Sequence, residues 1–206
     1  MISIAYDFDG TLVDIKARQM GLLSYICKSF QLEIDQDQFW EKKRQGANNL
    51  AVLRESGIDA NLISMIDGIW RNEIESQFWL ILDQKINHRF DELQSLRSMD
   101  CRTFLISARK QPQNLYQQIA MMNLESNFDE IICVDPSNKV REKANFLRSL
   151  EIDLFVGDTE TDFESSQMAN VEFNGVSTGQ RTFKFLKQAG VQNIDFEIVD
   201  LVKLRE

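Results

Sequence analysis

Two acids of the segment YDFDGTLVD, Asp7 and Asp9, stand two residues apart where a short apolar run ends, with Gly10 and Thr11 directly after them. Such a pair suits phosphoryl chemistry: one carboxylate attacks phosphorus while its neighbour gives a proton to the departing oxygen and later takes one from water. A turn-capping role for aspartates before glycine leaves unexplained why Asp7 interrupts an otherwise apolar run. Far along the chain a second apolar run, in LFVGDTETD, delivers Asp158, Glu160 and Asp162. Bringing Asp7, Asp9, Asp158 and Asp162 together concentrates negative charge that repels itself unless a cation is present. Oxygen-only ligands select a hard divalent ion. Mg2+ fits best, because it needs few protein carboxylates and keeps positions for water and a substrate phosphate, whereas Ca2+ wants more oxygens and a longer acidic loop.

Further groups can neutralise a phosphate. Ser107 ends the apolar run of FLISARK with a hydroxyl donor, and Ala108 and Arg109 follow with backbone amides near a helix start. SNKVREKANFLRSL offers Lys139 and Lys143 ahead of the acidic loop, and one lysine reaching inward would offset the carboxylates and clamp a phosphoryl group. Each of these features alone is ordinary; their order along the chain carries the signal. His88, in INHRFDEL, is the only histidine, so proton chemistry here falls to carboxylates. Cys27, Cys101 and Cys133 are odd in number and lack a CxxC pair, which disfavours a disulfide framework or zinc knuckle. The formal charge of −9 speaks against non-specific binding to nucleic acid or an anionic membrane. The opening MISIAYDF lacks the features of a secretory signal, and the expected location is the cytoplasm.

The elements that must position these residues follow from periodicity. Short apolar runs at Ile2 to Phe8, Thr103 to Ile106, Ile131 to Val134, Leu154 to Val156 and Val171 to Val176 suit strands buried on both faces. Helical crossovers are expected over Asp91 to Met99, Gln113 to Met122, Val140 to Leu150 and Asp162 to Ala169, giving a doubly wound, Rossmann-like α/β parallel sheet. In such sheets ligands bind beyond the carboxyl ends of the strands, where the acids lie. Residues 15–87 are too long for one crossover and have no strand-like run, so they read as an inserted all-helical cap, leaving 1–14 and 88–206 as the core. Helices are expected over Ile15 to Phe30, Gln36 to Gln45 and Asn61 to Leu82, with Asp35 as an N-cap, Gly46 and Gly57 as breaks, and Ile66, Trp70, Ile74 and Phe78 on one apolar stripe. Phe39, Trp40, Trp70, Phe78 and Trp79 read as core, and Arg44, Gln45 and Asn48 of KKRQGANN as a solvated loop.

These segments resemble the four motifs of the haloacid dehalogenase-like superfamily of phosphohydrolases, matched in order across nearly the whole chain. DFDGT at Asp7 to Thr11 resembles the first motif, Ser107 the second, a lysine the third and GDTETD at Gly157 to Asp162 the fourth. The third is met by Lys143 in KANFLRSL, with Lys139 the alternative. The insert after DFDGT is similar to the family's mobile helical cap. The resemblance implies a Mg2+-dependent phosphatase in which Asp7 becomes an aspartyl-phosphate and Asp9 is the general acid and base. It implies that Asp7, the Asp9 backbone carbonyl and Asp158 ligate the metal, with Asp162 bound directly or through water, and that Thr11, Ser107, Ala108 and Lys143 serve the phosphate, Thr11 by orienting its loop. Asp9 disfavours dehalogenation. Phosphonate cleavage would need a Schiff-base lysine from the cap, and Lys16, Lys28, Lys42 and Lys43 are not ranked for it. A helical lid favours a small soluble phosphorylated metabolite, with sugar phosphates and phosphoglycolate-like acids both compatible. A phosphomutase, or a catalytically silent phosphate-binding regulatory protein, is the alternative, and oligomeric state stays open.

Overall fold

In the computed structural model, which describes residues 1–204, strand β1 (Ser3–Tyr6) is buried along its whole length at the middle of a parallel sheet. The other strands of that sheet are β4 (Arg102–Ala108), β5 (Glu130–Val134), β6 (Leu154–Gly157), β7 (Glu172–Gly175) and β8 (Asn193–Ile194). Their spatial order is β5-β4-β1-β6-β7-β8, so the chain winds outward from β1 on one side and then on the other. That makes β1 the switch point, beyond whose carboxyl end the crevice of an open α/β sheet forms.

Alternation along β1 divides the core in two. Ile4 and Tyr6 join Leu105, Leu154 and Val156 beneath helices α6 (Asn87–Ser98), α7 (Pro112–Met121) and α11 (Ile198–Lys203). Ala5 joins Phe104, Ile106 and Phe155 on the opposite face, beneath α8 (Lys139–Ser149), α9 (Glu160–Ala169) and α10 (Phe183–Gln188). Leu93 and Leu96 of α6 and Leu115 and Ile119 of α7 are fully buried.

Between short strands β2 (Val13–Asp14) and β3 (Gln84–Lys85) lie α1 (Lys16–Phe30), α2 (Gln36–Arg44), α3 (Asn49–Glu55), α4 (Ala60–Glu73) and α5 (Gln77–Leu80). These five helices pack a third cluster of their own, with Leu22, Leu23, Ile26, Phe39, Leu53, Ile66, Trp70 and Trp79 at its centre. Asp35 caps α2, its carboxylate accepting from the Gln38 amide at 3.0 Å.

Four expectations need correction. The insert is not free of strand, because β3 pairs antiparallel with β2, Val13 opposite Lys85 and Asp14 opposite Gln84. Two exposed residues carry no apolar signal, so this stem was invisible to periodicity. The helix expected over Asn61 to Leu82 breaks between Glu73 and Gln77, the register shifts, and Phe78 turns out to solvent instead of continuing the Ile66 and Trp70 stripe. Helix α3 occupies a stretch read only as a region between breaks, and β8, two residues long, was missed.

Because Leu105 is fully buried on the central strand pair, Leu105→Ala is expected to cost about 2–5 kcal/mol. Urea unfolding should report this as a lowered midpoint with little change in slope.

Candidate active site

Asp7 and Asp158 each sit immediately past a strand. The Asp7 amide donates to the Val156 carbonyl at 2.8 Å, so β1 and β6 run side by side into the loop. The chain then turns tightly: the Phe8 carbonyl accepts from the amides of Leu12 and Val13 at 3.0 and 3.2 Å, and Gly10 takes φ +84°, a conformation costly for residues with a Cβ. Asp158 follows the last residue of β6, and Asp162 lies in the first turn of α9. A capping box forms there: the Thr159 hydroxyl and amide donate to Asp162 Oδ2 at 2.5 and 3.2 Å, which fixes the helix start and aims the other oxygen away.

That other oxygen meets Lys143. From α8 its ammonium donates to Asp7 Oδ1 and to Asp162 Oδ1, both at 2.7 Å, with all three side chains buried. Lys139, half-buried at the start of α8, makes no ion pair among the described residues. Asp158 is fully buried; its Oδ2 accepts from the Gln180 amide at 2.6 Å and its Oδ1 has no partner. Backbone crowds this carboxylate closely. A Cβ on Gly10 would stand 2.1 Å from Asp158 Oδ2, and one on Gly179 would stand 2.0 Å from it.

Asp7, Asp158 and Asp162 each offer an oxygen, all within 4.8 Å of one another. Three carboxylates against one ammonium is a buried surplus of negative charge, and Asp158 has an unsatisfied oxygen within it. This donor set fits a hard divalent cation. The electrostatics agree. Burial raises Asp7 to about 6 against the pull of Lys143, with Asp162 adding to the rise. Burial, then Asp7 and Asp162, drive Asp158 well above the carboxylate range. Asp162 is buried too, yet Lys143 and the Thr159 hydrogen bond outweigh that and hold it low. Lys143, penalised by burial, is held firmly protonated by Asp162 and Asp7.

Asp9 sits in the opposite environment. Its Oδ1 accepts from Arg109 Nη2 at 2.7 Å and pairs with Arg18 Nη2 at 2.9 Å, both guanidiniums being almost wholly buried. Despite its burial, Arg109 and Arg18 lower its pKa. The network closes on itself: Arg18 pairs with Asp83 at 3.2 Å, Gln118 donates to Asp83 Oδ2 at 2.7 Å, and Arg109 donates to Gln118 Oε1 at 3.0 Å. Arg18, Asp83 and Gln118 escaped sequence reasoning. Arg18 did leave a trace, for it shares a helix face with Leu22 and Ile26, where a charge is out of place unless paired.

Ser107 is buried near the carboxyl end of β4, two residues past Leu105, the partner of Tyr6, and so reaches the same sheet edge as Asp7. Ala108, half-buried, ends that strand. Thr11 is fully buried with an unpartnered hydroxyl inside the first loop. Arg44 is not in a solvated loop: it ends α2 and donates to the Ser177 carbonyl at 2.5 Å, while Asn48 caps α3 by accepting from the Ala51 amide at 2.9 Å. None of the three cysteines is in a disulfide, and among the described residues no helix is long and apolar enough to cross a membrane.

Residues 4–176 match the family model for haloacid dehalogenase-like hydrolases. No curated protein sequence matches the chain. Among solved structures it is similar to a haloacid dehalogenase-like hydrolase from Streptococcus pneumoniae, at TM-score 0.79 and 16% identity over 100% of this chain and 99% of that one. A phosphoglycolate phosphatase candidate from Lactobacillus plantarum aligns at TM-score 0.71 and 16% identity, covering 99% and 100% of the two chains. A β-phosphoglucomutase candidate from Thermotoga maritima aligns at TM-score 0.70 and 17% identity, covering 99% of each. At such identities the likeness establishes the fold.

Two outcomes are expected from these electrostatics. In chelator, Asp158→Asn should melt above the wild type because it removes a buried like charge. It should also forfeit the gain that Mg2+ gives the wild type, about 2.7 kcal/mol at a hundredfold excess over Kd; calorimetry with and without Mg2+ measures both. Burial raises Asp83 to about 7, against the pull of Arg18 and with Asp9 adding to the rise. A raised carboxyl binds its proton more tightly in the folded state, so its stabilising contribution is present at low pH and is lost as pH rises toward 7. Asp83→Asn should flatten the fall in stability of the chelated protein between pH 5 and 8, followed by urea midpoints.

Proposed function

The chain belongs to the haloacid dehalogenase-like hydrolases, and from that premise we propose that it is a Mg2+-dependent phosphatase acting on a small soluble phosphate monoester. The observation that carries the reading is the buried meeting of Asp7, Asp158 and Asp162 around Lys143, with an Asp158 oxygen left unsatisfied.

An oxygen of Asp7 attacks phosphorus, and the bond to the ester oxygen breaks with its electron pair leaving on that oxygen, which takes a proton from Asp9. Water then attacks the phosphorus of the aspartyl-phosphate while Asp9 accepts its proton. The bond to Asp7 breaks, and inorganic phosphate and the free carboxylate are restored. Lys143 and the Ser107 hydroxyl neutralise the transferring oxygens, the Ala108 backbone lies beside them, and Thr11 holds the loop that carries Asp7 and Asp9. The carboxylates of Asp7 and Asp158, the Asp9 backbone carbonyl, and Asp162 directly or through water would hold Mg2+, which supplies charge neutralisation on the phosphoryl group when bound. Arg18 and Arg109 orient Asp9; the first comes from the helical layer and the second from the core, so the two parts must be docked for the proton shuttle to be in place.

In this reading residues 15–87 act as a cap over a core of 1–14 and 88–206, and the enclosed crevice limits substrates to small esters such as sugar phosphates or phosphoglycolate-like acids. A cytoplasmic setting accords with three cysteines that form no disulfide. Phosphoryl transfer within one sugar, as in a mutase, would use the same acids, and the likeness to the Thermotoga maritima chain favours keeping it as the second reading.

The test is Mg2+-dependent phosphate release from an aryl phosphate and a panel of small esters. Wild-type protein should turn over, Asp7→Asn should fall to background, and hydroxylamine quenching should trap an acyl adduct on Asp7 alone. Conservation of total organic phosphate, with a need for a bisphosphorylated activator, would identify a mutase. Inert wild type across the panel would leave a silent phosphate-binding protein.

A further inference from the structure

Beside the acids a cavity of about 340 Å³ opens between the helical layer and the core, lined by Lys43, Asn48, Asn49, Asp67 and Arg71 from the one and Gln180 and Arg181 from the other. It adjoins the site on two sides. The amide of Gln180 donates to Asp158. Lys43 donates to the Gln19 side chain, next in sequence to the Arg18 that grips Asp9.

The cations of this cavity differ in one respect. Arg71 is paired with Asp67 at 2.7 Å, and Arg181 lies bidentate on Glu160 at 2.6 and 2.7 Å. Lys43 is 6% exposed, has no carboxylate within ion-pairing distance among the described residues, and donates only to a neutral amide oxygen. Its ammonium stands 5.3 Å from the centre of the Trp70 ring, which eases but does not neutralise a buried charge. Asn49 Oδ1, on the same wall, is buried without a partner. A buried ammonium facing a cavity with no counter-ion is an expensive arrangement for packing alone, which a methionine would serve as well.

We infer that this cavity receives a second anionic group on the leaving portion of the substrate, a carboxylate or a second phosphate, with Lys43 as its anchor. The inference rests on the phosphatase reading and narrows it from phosphate esters in general to those carrying two anions. Burial, with Arg181 and Arg18 nearby, lowers Lys43 to about 7, and a bound anion would restore its full charge. Arg181 has a separate structural duty, since it also donates to the Lys43 carbonyl at 3.1 Å and so ties the end of α2 to the core beside the cavity.

Matched substrates decide the matter. Phosphoglycolate is compared with 2-hydroxyethyl phosphate, and a hexose bisphosphate with the hexose monophosphate, by kcat/KM in Mg2+, with an aryl phosphate as the general assay of hydrolysis. In at least one pair the ester whose leaving portion carries the anionic group should be preferred by about 10- to 100-fold, the worth of a charge-assisted contact. Lys43→Met should collapse that ratio toward unity, mainly through KM, and Lys43→Arg should retain most of it. The pair that responds tells carboxylate from phosphate. Wild type that hydrolyses the aryl phosphate but prefers neither anionic member, or a preference that survives in Lys43→Met, overturns the inference and leaves the phosphatase reading intact. Should no ester be hydrolysed, that reading fails instead. Calorimetric binding of phosphoglycolate and the bisphosphate to Asp7→Asn protein, with and without Lys43→Met, still decides the subsite: binding lost with Lys43 upholds it, and binding unchanged or absent refutes it.

Discussion

Three carboxylates held within a few ångströms in a dry place are the constraint around which the rest of the molecule is arranged. Coulomb repulsion grows as water is withdrawn, so Asp7, Asp158 and Asp162 can share a buried space only if positive charge arrives with them. Lys143 supplies part of it, and its position follows from the fold: α8 leads into β6, so a lysine in the first turns of that helix hangs over the edge where β1 and β6 end side by side. Asp162 is tied down twice, once by the lysine and once as the return half of the capping box that starts α9. One side chain therefore terminates a strand loop, begins a helix and balances charge. The Asp158 oxygen without a partner is what this arrangement leaves over for a cation.

Asp9 is two residues from Asp7 and lives under the opposite field. Strand alternation alone would put residues two apart on one side; the tight turn that follows β1 at Phe8 separates them, and the two guanidiniums that meet Asp9 lower its proton affinity while burial raises that of Asp7. The roles proposed for them need the reverse order, Asp7 ionised to attack and Asp9 protonated to donate, which a divalent cation on Asp7 and Asp158 would favour by lowering Asp7; the division itself comes from ordinary elements: the first turn of α1 and the residue after β4. Asp83 and Gln118 complete the ring with hydrogen-bond partners, Asp83 pairing with Arg18 and Gln118 bridging Arg109 to Asp83.

What could be read from the chain alone follows from which features have a short sequence period. Strands β1, β4 and β6 are buried on both faces and β5 and β7 over part of their length, so all five stand out as apolar runs; the acids interrupt those runs and so announce themselves. Stem strands β2 and β3 have no such contrast, because Gln84 and Lys85 are exposed and hold their place by backbone pairing to Val13 and Asp14. The Asp9 ring was equally hidden, since Arg18, Asp83, Arg109 and Gln118 converge from four distant segments and only tertiary structure joins them. Glycine told a partial story: Gly10 sits in the visible motif, but the need for Gly179 arises from its approach to Asp158, which no local pattern encodes. Lys43 is one of five lysines in the insert, nothing in the sequence singles it out, and only burial separates it from the others.

The way the helical layer is joined to the sheet has a further physical consequence. Its own apolar cluster is complete without the α/β part, and Trp40 with Ile15 and Met20 are its main apolar reach into the neighbouring core. Most of the remaining ties are polar and directional: Glu75 accepting from the Lys110 amide at 3.0 Å, Asn114 donating to the Glu75 carbonyl at 2.8 Å, Arg44 on Ser177, Arg181 between Glu160 and Lys43. Hydrogen bonds of this kind each contribute only about 0.5–1.5 kcal/mol net, since water can replace either partner. Separating the layer from the sheet therefore costs far less than unfolding either, because both apolar clusters survive the separation. Specific polar ties can form in one register only, so a layer that moved as the proposed cap would bring Arg18 back to Asp9 and Lys43 back to the cavity together.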